Sequence, residues 1–474
     1  MDALARGTSR IAIFERMSRS VFRVEAGLAH GTAFLADTLG GVLITNAHVI
    51  EGAEIDQITV IVDSVTRVRA QVLARDAESD IAVLRIADEF VADRTRILLQ
   101  STSGRAPVVP GERLIALGYP LNQGLTVTSG IASSVRAGAV ISDVNINPGN
   151  SGGPLLNVHG EAVAVNTFGD VAAQGGPGVS GSVLVAKAAP VLARAAVEVG
   201  RSPSPSGDRL PIMPPDNVDV ASVKAHADTV SIRTYRRFND IGVGGFRITV
   251  QTPAQTFAIA KAYENDVARD RKKREAFAVL PEAQRYSAVR DVRDWDQYVG
   301  SRTAPVVSIA IIPKLGETGG SVFTRLMLGP NLKAAFKFRG DVRGAQLFRD
   351  QEFVDPIRGG HAPMEVYVED RWISLKDVAD KGFYIFDIEV FRPDENGVPP
   401  SIVLAIRDLK SPKKLKCVEL HAEVVAQAWN DFESFYAERR PAAGFRFALA
   451  RAAKDRKPAY RTDFLEKDCL WYAG

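Results

Sequence analysis

Short apolar runs separated by glycine-containing turns fill the chain from Ser20 to about Leu184. Examples are the sequences SVFRVEAG, GTAFLAD, GGVLITNAHVI, DIAVLRI, RLIALGYP and EAVAVNTF. Each run has the length of a strand, and turn-forming residues bound it. Many short strands at this spacing are typical of a β-sandwich or a β-barrel. The pattern therefore predicts an all-β N-terminal region.

A helical segment from roughly Leu184 to Val199 closes this region, and a proline-rich sequence follows the helix. The sequence RSPSPSGDRLPIMPPDN contains five prolines. Such a composition is typical of an extended and fairly stiff linker. We therefore predict a first domain at 1–200, a linker at 201–217 and a second region at 218–474.

The second region mixes strand-like runs, such as GGFRITVQ, VVSIAIIP and FYIFDIEVF, with two helical stretches. Ile388 and Val390 alternate with acidic neighbours, which predicts a half-buried strand. The last helical stretch has an apolar stripe at three- and four-residue steps, made by Leu420, Val424, Ala428, Phe432 and Phe435. These patterns predict a β-rich α+β region, which we divide into subdomains 218–302 and 303–474.

The composition is that of an ordinary globular protein, and the length of 474 residues is enough for several domains. The net charge is +3, and residues 1–200 hold 16 Lys and Arg against 19 Asp and Glu, so the positive surplus lies in the rest of the chain. No basic run forms a clustered face of the kind that nucleic acids bind. We therefore predict no nucleic-acid partner.

The number of cysteines and the N-terminal sequence indicate the cellular compartment in which the protein works. Only Cys417 and Cys469 occur, and both lie outside the N-terminal region, so we expect its cores to be held by packing alone. Glu15 interrupts the apolar run Ile11 to Phe14 before a signal peptide could form, and no stretch has the ~20 apolar residues of a membrane span. The expectation is a cytoplasmic protein, although a removed signal or an unconventional export route would leave the same sequence.

The segment from Asn147 to Pro154, NPGNSGGP, places Ser151 in a turn bounded by glycines. Hydrolysis of a peptide bond by serine needs an activated hydroxyl and N–H donors for the developing oxyanion. The backbone N–H groups of Gly149 and Ser151 can converge on one point, because a glycine at 149 leaves its peptide unobstructed. The turn therefore predicts a nucleophile, Ser151, with an oxyanion hole.

A base and a carboxylate precede this serine. His48 ends the strand-like run LITNAHV, and Asp80 stands before the strand-like run IAVLR. Taken singly, each residue is explained by a structural role, as a surface histidine or a turn-capping aspartate. Their order and spacing leave room for one barrel to finish and a second to build, and predict the triad His48, Asp80 and Ser151.

These motifs resemble the trypsin-like serine peptidases of the HtrA/Deg type. The matching sequences are GTAFLAD, TNAHVI, ESDIAVLRI, ALGYPLNQGLTVTSGIASSV and INPGNSGGPLLNVHGEAVAVNT, within residues 18–190. The resemblance implies a chymotrypsin-like double β-barrel, endopeptidase activity on protein or peptide substrates, no metal or organic cofactor, and the same triad. Histidines outside the triad also show no metal-ligand spacing.

The chain departs from that family in two respects. No export signal is visible, and no convincing PDZ domain follows the peptidase region. The segment Gly242 to Phe246, GVGGF, is compatible with a carboxylate-binding loop or with a glycine-rich hairpin. We therefore treat the second region as one of unknown fold and ligand.

The primary specificity pocket is expected beside the nucleophile. We predict that Asn145, Ile146, Phe168 and Asp170 line it. Ile146 and Phe168 favour an apolar substrate side chain, whereas Asp170 would favour Lys or Arg if it pointed inward.

The residue before Ser151 bears on how the peptidase is activated. Position 150 is Asn, and an amide cannot form the ion pair that an aspartate there would form with a newly cut N-terminus. We therefore expect activity to be controlled by loop ordering, assembly or the second region, and not by propeptide removal.

Three functions remain open at this point. The first is an endopeptidase whose C-terminal region controls activity or recognises a dedicated protein partner in a bacterial stress or defence system. The second is a general quality-control protease of the HtrA type. The third is a C-terminal binding module attached to a vestigial protease, which the intact set of triad residues argues against.

Overall fold

The computed structural model describes residues 10–438 apart from 38–39, 55–56, 103, 105, 121–123, 137, 168–178, 215–217, 239–240, 270–303, 317–336, 369–370, 376–377 and 413–414. The chain divides into two compact units, the first ending at Ile212 and the second beginning at Met213. No helix among these described residues is long and apolar enough to cross a membrane.

The first unit is built from short antiparallel strands with a helix near each end. The helices are α1 (Arg10–Met17) and α2 (Ala188–Arg201). The strands are β1 (Val21–Ala26), β2 (Ala29–Asp37), β3 (Val42–Thr45), β4 (Ile58–Asp63), β5 (Thr66–Arg69), β6 (Gln71–Asp76), β7 (Ile81–Arg85), β8 (Arg113–Gly118), β9 (Thr126–Arg136), β10 (Ala139–Ser142), β11 (Pro154–Leu156), β12 (Ala162–Thr167), β13 (Ser180–Leu184) and β14 (Arg209–Leu210).

These strands form the two barrels that the sequence predicts. The first sheet has the order β14-β5-β4-β1-β2-β3-β7-β6, and Ala70 alone separates β6, at one edge, from β5, the second strand from the other edge. The second sheet is a closed barrel with the order β10-β13-β12-β11-β8-β9. The first unit therefore has the chymotrypsin-like double-barrel fold.

Many strands of the first unit are buried on both faces, which explains why their sequences are nearly continuous apolar runs. In β8, Leu114 belongs to the core of the second barrel. Its neighbour Ile115 faces the other way, into a cluster that also contains Phe34 of β2 and Val191 of α2. This apolar layer joins the two barrels and the helix, and it is separate from the core of either barrel.

The segment 201–217, predicted as an extended and fairly stiff linker, begins as part of the first unit. Strand β14 pairs with β5 at the edge of the first sheet. The buried side chain of Arg85 donates to the carbonyl of Ser202 (3.3 Å), and that of Arg67 donates to the carbonyl of Pro211 (3.1 Å). Proline prevents helix formation here, but it does not prevent the intervening residues from pairing at a sheet edge.

The second unit is a β-rich α+β structure, as predicted. Its helices are α3 (Val220–Thr229), α4 (Ile232–Arg237), α5 (Pro253–Arg269) and α6 (Ala422–Glu438). Its strands are β15 (Ile241–Val243), β16 (Phe246–Gln251), β17 (Val306–Pro313), β18 (Val342–Arg349), β19 (Glu352–Val354), β20 (Arg358–Pro363), β21 (Glu365–Val368), β22 (Arg371–Ser374), β23 (Asp380–Asp387), β24 (Ile402–Asp408) and β25 (Leu415–Glu419).

Two sheets and the helices share one core in this unit. The sheets have the orders β15-β16-β17-β23-β20 and β19-β18-β24-β25. Strands β16 and β17 pair from Phe246↔Pro313 to Gln251↔Ser308, and a single apolar cluster extends from Val218 to Phe432. The predicted split into 218–302 and 303–474 is therefore not seen, because the sheet and the core both cross it. The segment GVGGF forms the turn of the β15–β16 hairpin.

A buried carboxylate ties the helices of the second unit together. Asp431 on α6 accepts hydrogen bonds from His226 on α3 (3.1 Å), Tyr235 on α4 (2.8 Å) and Gln427 on α6 (2.9 Å). Burial raises the pKa of the Tyr235 hydroxyl, and the neighbouring Asp431 raises it further. A buried charge needs such partners, because desolvation without them costs several kcal/mol.

One detail of the second unit differs from the sequence-based expectation. Strand β23 ends at Asp387, and Ile388–Phe391 forms a 3-10 turn instead of continuing the strand. The cause is local, since the Asp387 carboxylate accepts the N–H of Glu389 (2.8 Å) and so starts the turn. Cys417 lies on β25, packed with Phe348 and Ala405.

Asp387 should make the stability of the second unit depend on pH. It is 5% exposed, and burial raises its pKa from 3.8 to about 7, with the nearby Glu389 adding to the increase. The folded chain therefore binds a proton that the unfolded chain has released, so stability falls as pH rises from about 4 to 7. Asp387→Asn keeps the acceptor without the charge. We expect this substitution to raise the free energy of unfolding at pH 8. The increase should be on the order of 1.4 kcal/mol for each pH unit between the pKa of Asp387 in the folded chain and its pKa in the unfolded chain.

The measurement is urea unfolding at pH 4.5 and pH 8, followed by tryptophan fluorescence. All four tryptophans lie after Met213, so the signal reports the second unit alone. Asp394→Asn is the matched control, because Asp394 is exposed and also caps a turn, through the N–H of Asn396. Equal stability of Asp387→Asn and wild type at pH 8 would contradict the prediction.

Candidate active site

Ser151 lies in a tight turn between β10 and β11 that only glycine can complete. Gly149 and Gly152 have φ angles of 102° and 87°, in the region that side chains rarely adopt. A β-carbon at position 149 would lie 2.3 Å from the carbonyl oxygen of Tyr119, and one at position 152 would lie 2.1 Å from that of Thr32. The glycines beside Ser151 thus let two other segments approach the turn closely.

The backbone of this turn directs two N–H groups outward. The Asn150 N–H donates to the carbonyl of Asn147 (2.9 Å), and the Asn150 carbonyl accepts from Gly153 (3.0 Å). Because a trans peptide directs its C=O and N–H to opposite sides, the Ser151 N–H points away from Gly153. Neither the Gly149 amide nor the Ser151 amide donates a hydrogen bond to another described residue. Both are therefore available as oxyanion donors.

His48 and Asp80 form the hydrogen-bonded pair that the sequence predicts. His48 begins a short 3-10 turn after β3, and Asp80 stands directly before β7. The Nδ1 atom of His48 lies 3.0 Å and 2.9 Å from the two carboxylate oxygens of Asp80, and the His48 backbone N–H donates to the same group (3.0 Å). Asp80 therefore fixes the imidazole orientation and keeps Nδ1 as the donor, which leaves Nε2 to act as a base.

Two further side chains hold Asp80 in place. Its φ angle is +50°, a left-handed conformation that aspartate tolerates better than most residues, and Asn46 donates to its carbonyl oxygen (2.9 Å). Thr167 donates to its carboxylate (2.8 Å). Burial alone would raise the pKa of Asp80, but the hydrogen bonds from His48 and Thr167 outweigh it and lower the pKa, so the carboxylate stays charged at neutral pH.

Backbone hydrogen bonds connect the nucleophile turn to the residues that hold the other two groups. Gly152 donates to the carbonyl of Asn166, and Asn166 donates to that of Gly153, both at 2.8 Å. Thr167, which binds Asp80, is the next residue. Thr32 of the first barrel donates to the carbonyl of Ser151 (2.8 Å). These bonds tie the turn that holds Ser151 to β12, whose last residue binds Asp80, and to β2 of the first barrel.

Comparison with known proteins agrees with this geometry. Residues 31–165 match the family model described as "Trypsin-like peptidase domain".

The first unit contains a trypsin-like peptidase domain.

Curated relatives of this peptidase domain are serine proteases. The chain is 36% identical over 159 residues to "Serine protease Do-like HtrA" of Bacillus subtilis, covering 30% of this chain and 34% of the relative. It is 31% identical over 179 residues to "Serine protease HTRA1B" of Danio rerio, covering 35% of this chain and 36% of the relative. The chain thus spans about a third of the length of these relatives.

A solved structure also matches the chain. It is described as the serine endoprotease from Yersinia pestis and is 29% identical, with a TM-score of 0.34 over 39% of this chain and 65% of that chain.

The predicted pocket of the peptidase domain is described in part. Asn145 is exposed, and its carbonyl accepts a hydrogen bond from Thr128 (3.0 Å). Ile146 is buried in the core of the second barrel, beside the nucleophile turn. Phe168 and Asp170 lie outside the described residues. The preference of the pocket for apolar side chains therefore stays a prediction.

Sequence reasoning missed two residues that hold Asp80 in place, Asn46 and Thr167. Neither Asn46 nor Thr167 belongs to the predicted site, although each stands at the end of a strand. Asn46 lies two residues before His48, and Thr167 directly follows Asn166. A polar side chain at the end of an apolar strand was the available signal. Among the described residues, no group of three His, Cys, Asp or Glu side chains is placed to hold a metal ion.

Replacing Asp80 by Asn should nearly abolish hydrolysis by the peptidase domain. The amide cannot accept the Nδ1 proton in both positions or stabilise the imidazolium, and loss of this carboxylate typically costs about 10⁴-fold in kcat. The measurement is the kcat of the full chain on a fluorogenic peptide selected from a cleavage library. Asp76→Asn is the control. It changes a carboxylate that caps the nearby turn by accepting the N–H of Glu78. Wild-type kcat in Asp80→Asn would remove Asp80 from the triad.

Proposed function

We propose that the protein is a serine endopeptidase that uses Ser151 as nucleophile. The observation that carries the proposal is the His48–Asp80 pair, with both carboxylate oxygens within 3.0 Å of Nδ1, beside a turn with two available N–H donors. This arrangement supplies a base, a group that orients it, and an oxyanion site. These are the parts that acyl transfer needs.

The steps follow from these roles. The Oγ of Ser151 attacks the carbonyl carbon of the substrate while Nε2 of His48 takes the hydroxyl proton. The N–H groups of Gly149 and Ser151 stabilise the negative oxygen of the tetrahedral intermediate. His48 then gives the proton to the leaving amine, which breaks the peptide bond and leaves an acyl-enzyme. A water molecule, deprotonated by His48, hydrolyses the acyl-enzyme and restores Ser151.

Ser151→Ala should abolish both hydrolysis and covalent labelling by a fluorophosphonate. The fold should be unchanged, because the alanine keeps the backbone bond to Thr32 and removes only a small hydroxyl. Measurements are labelling by mass spectrometry and the thermal unfolding midpoint of the full chain. Ser20→Ala is a matched control, since Ser20 is another buried serine, bonded to the Thr95 carbonyl. Labelling that persists in Ser151→Ala would show that the nucleophile is misassigned.

We further propose that the second unit controls the peptidase or recognises its protein target. Its own apolar core, from Val218 to Phe432, includes no residue of the first unit, so it is built as an independent module. The described part of this unit offers no histidine–carboxylate pair next to a serine or cysteine nucleophile. A module without catalytic chemistry acts by binding, and we propose that it binds a dedicated partner or controls the peptidase; a general quality-control protease is the alternative.

The turn around Ser151 supports control of this kind instead of activation by cleavage. Asn150 is 3% exposed, so an aspartate there would place a charge in a buried site that needed a cation. A neutral amide has no such need, and the bonds of Asn150 to Asn147 and Gly153 already hold the turn. We therefore propose that activity changes through loops or the second unit, without release of a new N-terminus.

The test compares residues 1–212 with the full chain on a small peptide and on an unfolded protein such as casein. The shorter chain must end at 212, because ending at 200 would remove β14 and the Arg67–Pro211 bond from the first unit. All three apolar clusters of the peptidase domain lie within residues 13–195, so this chain keeps its cores. We expect the rates of the two chains to differ at least several-fold on one substrate.

Each outcome has a distinct meaning. Equal rates on both substrates would contradict control by the second unit. Rapid digestion of casein by the full chain without a partner would favour general quality control. Ser151→Ala versions of both chains correct for contaminating proteases.

A further inference from the structure

Thr32 is a buried residue of β2 that the catalytic roles above do not use. Its exposure is 0%, and it makes hydrogen bonds with every polar group that it has. Its N–H donates to the Ser151 carbonyl (2.8 Å), and its carbonyl accepts from the hydroxyl of Thr45 (2.7 Å). Its own hydroxyl donates to the Gly149 carbonyl (2.7 Å) and accepts from the Tyr119 N–H (3.1 Å). One side chain of the first barrel thus contacts two segments of the second.

These bonds fix the peptides that flank the oxyanion donors. The Gly149 carbonyl belongs to the peptide between residues 149 and 150, and the Ser151 carbonyl belongs to the peptide between residues 151 and 152. Thr32 holds both, and the peptide that carries the Ser151 N–H lies between them. The opposite side of the first peptide is held as well, because the Asn150 N–H binds Asn147.

The glycine at 149 makes such a restraint necessary. A residue with φ near 102° and no side chain has more accessible backbone conformations than any other residue type. The Gly149 N–H belongs to the peptide before Gly149, so rotation about the Gly149 Cα–C bond would change its direction relative to the Ser151 N–H. The Tyr119 carbonyl blocks one side of Gly149, at 2.3 Å from a β-carbon position, but a blocked side does not fix a peptide plane. A directional hydrogen bond does.

We propose that the Thr32 hydroxyl is a positioning residue for the oxyanion hole, holding the Gly149 peptide so that the Gly149 and Ser151 N–H groups converge. The proposal builds on the proposed serine endopeptidase function. Thr32 does not touch the substrate in this role. It acts through the turn, from a strand of the other barrel, so the oxyanion hole is assembled only when the two barrels are packed together.

Valine and serine at position 32 separate the hydroxyl from the shape of the side chain. Thr32→Val keeps the branched shape and the backbone bond to Ser151 but loses both hydroxyl bonds, whereas Thr32→Ser keeps the hydroxyl. Thr59→Val is the matched control for stability, because Thr59 is a buried threonine of the same barrel whose hydroxyl accepts from Arg67 (3.1 Å). All variants are made in the full chain.

The first readout is steady-state kinetics on one fluorogenic peptide. We expect Thr32→Val to lower kcat about 10- to 100-fold, as for a displaced oxyanion donor, with KM within about 3-fold of wild type. The pH at which the acidic limb of kcat/KM reaches its midpoint should not move, because Thr32 makes no hydrogen bond to His48 or Asp80. Thr32→Ser and Thr59→Val should keep kcat within about 3-fold.

The second readout needs no catalysis. In chains that also carry Ser151→Ala, we expect amide hydrogen exchange of residues 147–153 to be faster in Thr32→Val than in Thr32→Ser or Thr59→Val. Unchanged exchange there would overturn the proposal, whether or not the protein is a peptidase. Equal losses of kcat in Thr32→Val and Thr59→Val, or no rescue by serine, would show a merely structural role. Absence of any Ser151-dependent hydrolysis would instead overturn the proposed function.

Discussion

The apolar layer between the two barrels is the constraint on which the active site depends. Ser151 belongs to the second barrel, whereas His48 and Asp80 belong to the first, so no local sequence fixes the distance between them. The layer does so because strands of both barrels contribute one face to it, Phe34 and Ile44 from one side and Ile115 and Leu117 from the other. Interiors pack as densely as organic crystals, so such a layer tolerates little sliding.

Polar contacts across this layer then set the orientation of the catalytic groups. The hydrogen bonds from Thr32 to Gly149 and Ser151 and from Thr167 to Asp80 join segments far apart in sequence. Each such bond adds only about 1 kcal/mol to stability, whereas an unpaired buried group costs about 1–3 kcal/mol. Their main effect is therefore on how these segments are arranged relative to one another, and not on overall stability. They do little to fold the barrels, but they penalise arrangements in which the nucleophile turn is out of register.

The connection to the second unit follows the same logic. Arg67 and Arg85 are buried in the first barrel, and each satisfies part of its guanidinium with a carbonyl from the segment after α2. A buried arginine without acceptors would be costly, so this segment is held against the barrel up to Pro211. The first part of the connection between the two units is therefore anchored.

The sequence by itself determined the chemistry and the class of fold. Residue type and order predicted the His48–Asp80 pair, which the structure shows, and singled out Ser151 and Gly149, because a nucleophile turn and an oxyanion donor have strict local requirements. Strand length and glycine spacing were enough for the barrels, since both are local patterns. The strand predicted through Val390 shows the limit of such patterns. Alternating apolar and acidic residues also fit a 3-10 turn, and here the side chain of Asp387 caps that turn and so ends the strand.

Only the tertiary structure decided which polar residues support those groups and where the second unit begins. Thr32, Asn46 and Thr167 look like ordinary strand residues, and the groups to which their side chains donate are 34 to 117 positions away. The pairing of β14 with β5, and of β16 with β17 across the predicted subdomain boundary, also depends on strands distant in sequence. The physical reason is common to all of them: a hydrogen bond between distant segments leaves no periodicity in the chain, and it exists only once the apolar layers have brought those segments together.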